Sequence, residues 1–423
     1  MSNNDDYAGK YKLVSVKLKN ADGNEADIRL IIKEIQIHES INMTFALYSF
    51  HVIDAVMLLE NLGVTGSEQI TLEILLKDTD TLKTIELSVI DYGGYSRPNN
   101  QSQTYTITAI NQTAMNASVK RISTGVNGSA CGILQDLYRE IDQKNPITLE
   151  DAADEGNFGG IIPNLTYRDA FAYLISKAQT TNNGMFFFYE TIWNGQVINS
   201  FENMISSDII GKYSLNDGAE SGQDSDFNES IAYKIKSIQS DFGLSAFKTF
   251  KEGGATSKTH MIDISTKEYT EYFFDISKDD MPSFSKDYVV SDNYHIDLAD
   301  TEGAYFVSNR NVKAYDGKFE NFSQHTDTSL YKKRALLSNL YAMSHTIDIT
   351  GSDSLSSGKT LEITLQQATD PTIVDVHHDE MLSGNYLITE VVHKFNDNGV
   401  YYATVTIKKD SFDRKLMMRG GIF

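Results

Sequence analysis

Alternating apolar and polar residues dominate the first hundred positions and predict β-strands. The pattern is clear at Val14, Val16 and Leu18, because side chains of a half-buried strand alternate between core and solvent. Asp54 can cap a short helix that ends at Gly63. Further alternating runs lie at residues 70–76, 85–89 and 105–109. About six strands with one short helix predict a small barrel or a sandwich over residues 1–111.

The second apolar run changes phase and predicts an irregular strand. Its apolar positions are first Ile28, Leu30 and Ile32, and then, at the opposite parity, Ile35 and Ile37. A parity change inside one run is typical of a β-bulge, or of a strand that bends between two sheets.

Helical periodicity appears where an inserted α+β module is predicted, over residues 112–205. Leu134, Leu137 and Ile141 share one face of an amphipathic helix. Thr166 begins a capping box and predicts a second helix. An Asn-Gly pair between two strand-like runs then predicts a β-hairpin.

Residues 206–410 are predicted to form a linker and a second part rich in β-strands. The linker is acidic and rich in Gly and Ser as far as Glu229. Residues 240–325 have weak periodicity and are assigned to an additional insert. The strand pairs at 85–110 and 386–407 resemble each other, which either two related barrels or two unrelated hairpins would explain. The predicted fold class is therefore α+β and β-dominated.

Composition and charge narrow the classes of function. The 423 residues carry 37 Lys and Arg against 58 Asp and Glu, a formal net charge of −21. That charge repels phosphate backbones and argues against tight binding of nucleic acid. Cys131 is the only cysteine, so no intrachain disulfide can form. The acidic N-terminal stretch lacks a signal-peptide pattern, and no apolar run approaches the ~20 residues that span a bilayer, so we expect no stable membrane insertion.

Three local patterns suggest reactive sites, but none has the required spacing. Residues 375–380 (DVHHDE) group two His with carboxylates, without the helical spacing of a zinc motif. Residues 351–360 resemble a phosphate-binding loop, but a strand follows where a helix is needed. Asp224, Asp226 and Asn228 match the start of an EF-hand loop that lacks its Gly and Glu. We therefore predict no catalytic residue, no metal ligand and no cofactor.

Several sequence stretches, taken in order, resemble the baseplate central hub protein of contractile-tailed bacteriophages and, more distantly, the hub proteins of contractile injection systems. They match the hub's first bent strands, the strand after the capping helix, the exit from the first barrel, both parts of the inserted module and the closing hairpin. These stretches are residues 31–55, 66–77, 105–141, 162–178, 184–205 and 383–409. The argument depends on their common order, because each stretch alone is a weak pattern.

The resemblance implies a structural virion protein rather than an enzyme, with two tail-tube-like β-barrels in each copy, the first over residues 1–111 and the second within residues 206–410. Three copies would form a homotrimeric ring with pseudo-six-fold symmetry, which joins the tail tube to the central spike and lets DNA pass. The expected partners are further copies of the chain, the tail tube protein, the central spike protein and baseplate wedge proteins. The expected location is the tail baseplate of a virion assembled in the host cytoplasm. The alternatives are an all-β carbohydrate-binding or glycan-hydrolysing tail protein, and another tail tube or baseplate component.

Residues 411–423 are predicted to be a docking tail for a partner. The tail is basic and apolar on a very acidic chain, and such residues, if exposed, would form an apolar patch. The predicted partner-binding residues are Arg414, Lys415, Leu416, Met417, Met418, Arg419, Ile422 and Phe423.

Overall fold

A computed structural model gives the fold of most of the chain. The residues it describes are 9–77, 79–145, 147–150, 157–180, 184–215, 233–242, 245–264, 266–276, 278, 281–285, 304–310, 326–365, 379 and 381–412.

The first part of the chain is a curled antiparallel sheet around its own core. Its elements are β1 (Tyr11–Lys19), β2 (Glu25–Asp27), β3 (Ile32–Ser40), β4 (Leu47–Asp54), α1 (Leu58–Leu62), β5 (Gln69–Leu76), β6 (Leu82–Asn99) and β7 (Ser102–Asn111). The strand order is β3-β4-β7-β6-β5-β1-β2. Residues 28–31 connect β1 with β4, because Ile28 N donates to Val16 O (2.9 Å) in β1 and Ile53 N of β4 donates to Ile31 O (2.8 Å).

The predicted irregularity in the second strand is confirmed at the position where the apolar pattern changes phase, but the strand begins later than that pattern predicts. The register between β3 and β4 shifts between Ile32 and Glu34. Ile28 and Leu30 do not extend this strand, and Leu30 is 94% exposed. The extended strand prediction was wrong there because apolar alternation continued into a turn.

The short helix α1 ends as predicted at Gly63, but its N-cap position is Met57 rather than Asp54 and has no side-chain capping hydrogen bond. The Asp54 carboxylate accepts from the backbone N–H groups of Val56 and Leu58, each at 2.8 Å. Gly63 closes the helix with a left-handed φ of 65°, a conformation that glycine adopts without strain.

The middle of the chain combines helices with small sheets around a second core. Its elements are α2 (Gln112–Val119), β8 (Arg121–Ser129), α3 (Ala130–Ile141), β9 (Thr148–Leu149), β10 (Asn157–Thr166), α4 (Tyr167–Ile175), β11 (Phe186–Thr191), β12 (Gly195–Ser200) and α5 (Phe201–Ser206). Leu134 and Leu137 of α3 pack with Phe171 and Leu174 of α4. Thr166 caps α4 by accepting from Asp169 N (3.1 Å), as its capping-box pattern predicts.

The last part of the chain contains a closed barrel and a smaller sheet. The elements are β13 (Ile209–Leu215), β14 (Lys234–Phe242), α6 (Ala246–Glu252), β15 (Thr256–Asp263), β16 (Glu268–Asp275), β17 (Ala304–Arg310), α7 (Thr326–Leu340), β18 (Met343–Thr350), β19 (Thr360–Thr364), β20 (Gly384–Asn396) and β21 (Tyr401–Lys409). Six of these strands close in the order β19-β13-β14-β18-β21-β20, because β19 also pairs with β20. The sheet β16-β15-β17 packs one face against Tyr331 and Ala335 of α7.

One strand pairing joins the two barrel units into a single sheet. β20 pairs with β19 and β21 in the closed barrel, and its later residues, Glu390 to Asn396, pair with β3. A register shift between Ile388 and Glu390 marks the point where β20 changes direction, as expected of a β-bulge.

The β-dominated fold class with two barrel units and an inserted helical module is therefore confirmed. Within the described residues, no helix is both long and apolar enough to cross a membrane.

Candidate functional site

A buried glutamate connects three parts of the molecule where the two barrel units meet. Glu39 lies on β3 and is fully buried. Its Oε2 accepts from Ile192 N (2.8 Å) in the hairpin between β11 and β12, and its Oε1 accepts from Ser357 N (2.7 Å) before β19. A carboxylate with two backbone donors satisfies the hydrogen-bonding requirement that its burial imposes.

We call the contact of Glu39 with Ile192 and Ser357 the junction. Aromatic and histidine side chains extend this junction into the closed barrel. His393 Nε2 lies 3.4 Å from Glu39 Oε2, and His393 Nδ1 lies 2.8 Å from the Tyr401 hydroxyl. That hydroxyl donates to Ser352 O at 3.1 Å. Trp193 approaches the His393 ring edge-on, with 6.4 Å between ring centroids. The junction therefore fixes the position of both barrel units relative to the hairpin.

Sequence reasoning missed Glu39, although a signal was present. Ile35 and Ile37 are buried on one face of β3, and Glu39 is the next residue on that face. A charged residue in the apolar phase of a strand marks a buried polar site. Its partners could not be found in this way, since Ile192 and Ser357 are 153 and 318 residues distant in the sequence.

A polar cavity of about 470 Å³ lies between the first barrel unit and the helical module. Its walls include Tyr48 and Lys83 from the barrel unit, and Tyr138 and Asp142 from the module. Glu190 of β11 lies at its inner end and accepts from Ala46 N at 2.9 Å. Burial raises the pKa of Glu190 to about 7, because a low-dielectric site disfavours the charged form.

Replacing Glu190 with Gln should remove a pH dependence of stability. The folded pKa of about 7 exceeds the ordinary value of 4.5, so the folded chain holds this proton more tightly than the unfolded chain. The stabilisation that the Glu190 proton gives to the folded chain is fully present below about pH 4.5 and is lost as the pH rises through 7. Relative to Glu190→Gln, the wild-type free energy of unfolding should fall by about 2–3 kcal/mol between pH 5 and pH 8. Urea denaturation at both pH values measures this difference.

The neighbouring lysine provides a second variant for the same experiment. The positive charge of Lys83 lowers the pKa of Glu190 and so opposes the effect of burial. Lys83→Met should therefore move the transition to higher pH. Parallel stability curves for wild type and Glu190→Gln would contradict the assignment of this proton to Glu190.

A second polar cluster lies inside the closed barrel. His345 Nε2 is 3.0 Å from the Tyr386 hydroxyl, and Lys409 Nζ donates to Ser383 O at 2.7 Å. Burial lowers the pKa of His345 to about 4, so its ring is neutral at physiological pH. His345, Tyr386 and Lys409 are all fully buried, so this cluster stabilises the barrel and is inaccessible to a substrate.

Most sequence patterns that suggested a reactive site lie outside the described residues. This applies to Asp224, Asp226, Asn228, residues 375–378 and 380, and the tail residues Arg414, Lys415, Leu416, Met417, Met418, Arg419, Ile422 and Phe423. Asp379 is described, and its carboxylate accepts from Met381 N and Leu382 N in a turn. Within the described residues, no group of three or more His, Cys, Asp or Glu side chains is arranged to hold a metal ion.

The segment that resembles a phosphate-binding loop has another role. Ser357 N donates to Glu39, and Gly358 N donates to Ile388 O at 2.8 Å. The strand β19 follows this segment, as the sequence predicted. These two N–H groups are therefore committed to the junction and are not available to a phosphate.

The small sheet presents an exposed apolar face that suits contact with another protein. Ile262, Tyr269, Phe273 and Val307 are all exposed, and the strand register places them on one face. The opposite face packs against α7. The same face carries an ion pair between Lys258 and Glu271 at 3.2 Å, and such a mixture of exposed apolar and charged side chains is typical of interaction surfaces.

Comparison with solved structures identifies the class of fold. A tail protein from Neisseria meningitidis MC58 aligns with a TM-score of 0.53 and 10% identity, over 95% of this chain and 97% of that protein. The 43 kDa tail protein of prophage MuSo2 from Shewanella oneidensis aligns with a TM-score of 0.53 and 11% identity, over 94% of this chain and 99% of that protein. No family model and no curated protein sequence matches the chain. The chain therefore has the fold of phage tail proteins, which confirms the predicted resemblance as a likeness of structure.

Proposed function

We propose that the chain is the central hub of a phage tail baseplate and that it acts as a structural protein rather than an enzyme. The observation that carries this proposal is the presence of two barrel units in one chain, one of seven strands and one of six, joined by the pairing of β3 with β20. Three such chains would place six units in a ring. A ring of this kind could match a six-fold tail tube on one side and a three-fold spike on the other.

Other features of the described residues support assembly. The exposed face of Ile262, Tyr269, Phe273 and Val307 offers apolar area for a subunit contact. Among the described strands, β16 and β17 each pair only with β15, so their outer edges could accept a strand from a neighbour. The proposed partners are further copies of this chain, the tail tube, the spike and the wedge proteins, and the proposed location is the baseplate. With a net charge of −21, the ring would let DNA pass without holding it.

The oligomeric state tests this proposal. Analytical ultracentrifugation, alone and with the spike protein, should give a complex that contains three chains of 47.3 kDa each. Immunogold labelling of purified particles should then place the chain at the tube–spike joint. A stable dimer, a six-chain ring or label along the whole tube would contradict the hub assignment.

A further inference from the structure

A basic groove with aromatic walls lies beside the small sheet. It has a volume of about 620 Å³ and lies between α6, β17 and α7. Lys248, Lys251 and Arg334 line it, together with the aromatic rings of Phe247 and Phe306. Phe247 is 78% exposed. A cluster of cations is notable on a chain whose net charge is −21.

The three cations have no acidic partner among the residues that the structure describes. Within the part of the chain that the structure describes, none of them forms an ion pair with an Asp or Glu side chain. Glu252 is the single acidic residue of the lining, and its carboxylate accepts at 3.5 Å from the Ser338 hydroxyl. An exposed ring among free cations favours a segment that carries both acidic and aromatic side chains.

The chain itself contains a segment with this chemistry. Residues 216–232 carry five acidic side chains and no Lys or Arg, and Phe227 stands between Asp226 and Glu229. The segment connects β13 to β14 and lies outside the described residues. Its charge and its aromatic residue complement those of the groove.

Chain length favours binding between copies over binding within one copy. The segment returns to the sheet at Tyr233, six residues after Phe227, and six extended residues span about 20 Å. β14 then runs from Lys234 to Phe242, a distance of about 26 Å, before α6 begins. Because α6 follows β14 and packs against α7 and β17, Phe227 is tethered at the end of β14 that lies opposite the groove, which favours a groove on a neighbouring copy.

We propose that residues 216–232 of one copy bind the groove between α6, β17 and α7 of a neighbouring copy. Phe227 would pack between Phe247 and Phe306, and the acidic residues on either side would face the three cations. This contact rests on the proposed assembly of several copies and names one interface within it.

A peptide-binding experiment tests the contact directly. A fluorescent peptide of residues 216–232 is titrated into the full-length chain carrying Asp224→Asn and Asp226→Asn, which weaken competition from the same segment of other copies. Lys248→Glu with Lys251→Glu in that chain should reduce the affinity at least tenfold. Lys19→Glu with Lys120→Glu makes the same change in net charge at exposed sites elsewhere, and should reduce it less than threefold.

Peptide variants separate recognition from general attraction between charges. A Phe227→Ala peptide should bind at least fivefold more weakly, and binding should weaken as salt rises from 50 to 300 mM. A peptide with Asp224→Lys and Asp226→Lys should bind the Lys248→Glu, Lys251→Glu chain better than the parent peptide does. Equal affinity for a scrambled peptide, for polyglutamate or for a DNA oligonucleotide would overturn the proposal.

Sedimentation of the same variants distinguishes this contact from the hub assignment. Groove-dependent peptide binding by a chain that is not trimeric would support the contact while contradicting the hub. Trimers whose peptide affinity is unchanged by Lys248→Glu and Lys251→Glu would overturn the contact and leave the hub proposal standing.

Discussion

Replacing Glu39 with Ala should lower the free energy of unfolding by about 4 kcal/mol. The substitution leaves the buried N–H groups of Ile192 and Ser357 without their acceptor, and each unsatisfied group costs about 1–3 kcal/mol. Urea denaturation followed by Trp193 fluorescence measures the change. Trp193 is the only tryptophan and lies beside His393, so its emission reports the junction itself.

Two further variants make this experiment specific. Glu39→Gln keeps one acceptor oxygen and should fall between wild type and Glu39→Ala. Glu34→Ala changes a glutamate on the opposite face of the same strand, where its side chain is only partly buried, and should cost less than about 1 kcal/mol. If Glu39→Ala unfolds within about 1 kcal/mol of wild type, the junction does not hold the barrel units and the hairpin together.

Replacing Leu137 with Asp should destabilise the helical module by about 4 kcal/mol or more. Leu137 is 4% exposed and packs in the core that α3 and α4 share. A carboxylate at this position would be buried without a partner. Urea denaturation followed by far-ultraviolet circular dichroism measures the loss.

The matched controls use the same helix. Leu137→Ala removes the packing without adding charge and should cost about 2–4 kcal/mol. Gln135→Asp adds the same charge at a partly exposed position of α3 and should cost less than about 1 kcal/mol. Wild-type stability of Leu137→Asp would mean that this face of α3 is not buried.

Features that depend on neighbouring residues were predictable from the sequence. Thr166 caps α4, Gly63 ends α1, and Gly195 with a φ of 76° turns the hairpin between β11 and β12. Each depends on the chemistry of a few adjacent residues, so a short window contains the whole signal. The alternation that predicted β1 has the same local origin.

The error at Leu30 shows where local patterns stop being sufficient. Apolar alternation continued through residues 28–32, but Leu30 lies in a turn and is exposed. Alternation predicts a strand only if another strand pairs with it, and the chain pairs β3 from Ile32 onward. Burial is decided by what packs on a residue, which a local window does not contain.

The sequence by itself determined most strands and helices, the inserted helical module and the acidic character of the chain. Only the tertiary structure decided that β19 pairs with β20 to close the second barrel, that β20 also pairs with β3, and that Glu39 meets Ile192 and Ser357. The groove formed by α6, β17 and α7 likewise could not be predicted from any one of the three sequence segments that form it. The physical reason is that these contacts join residues far apart in the chain, whose pairing depends on the packing of the whole fold rather than on local conformational preference.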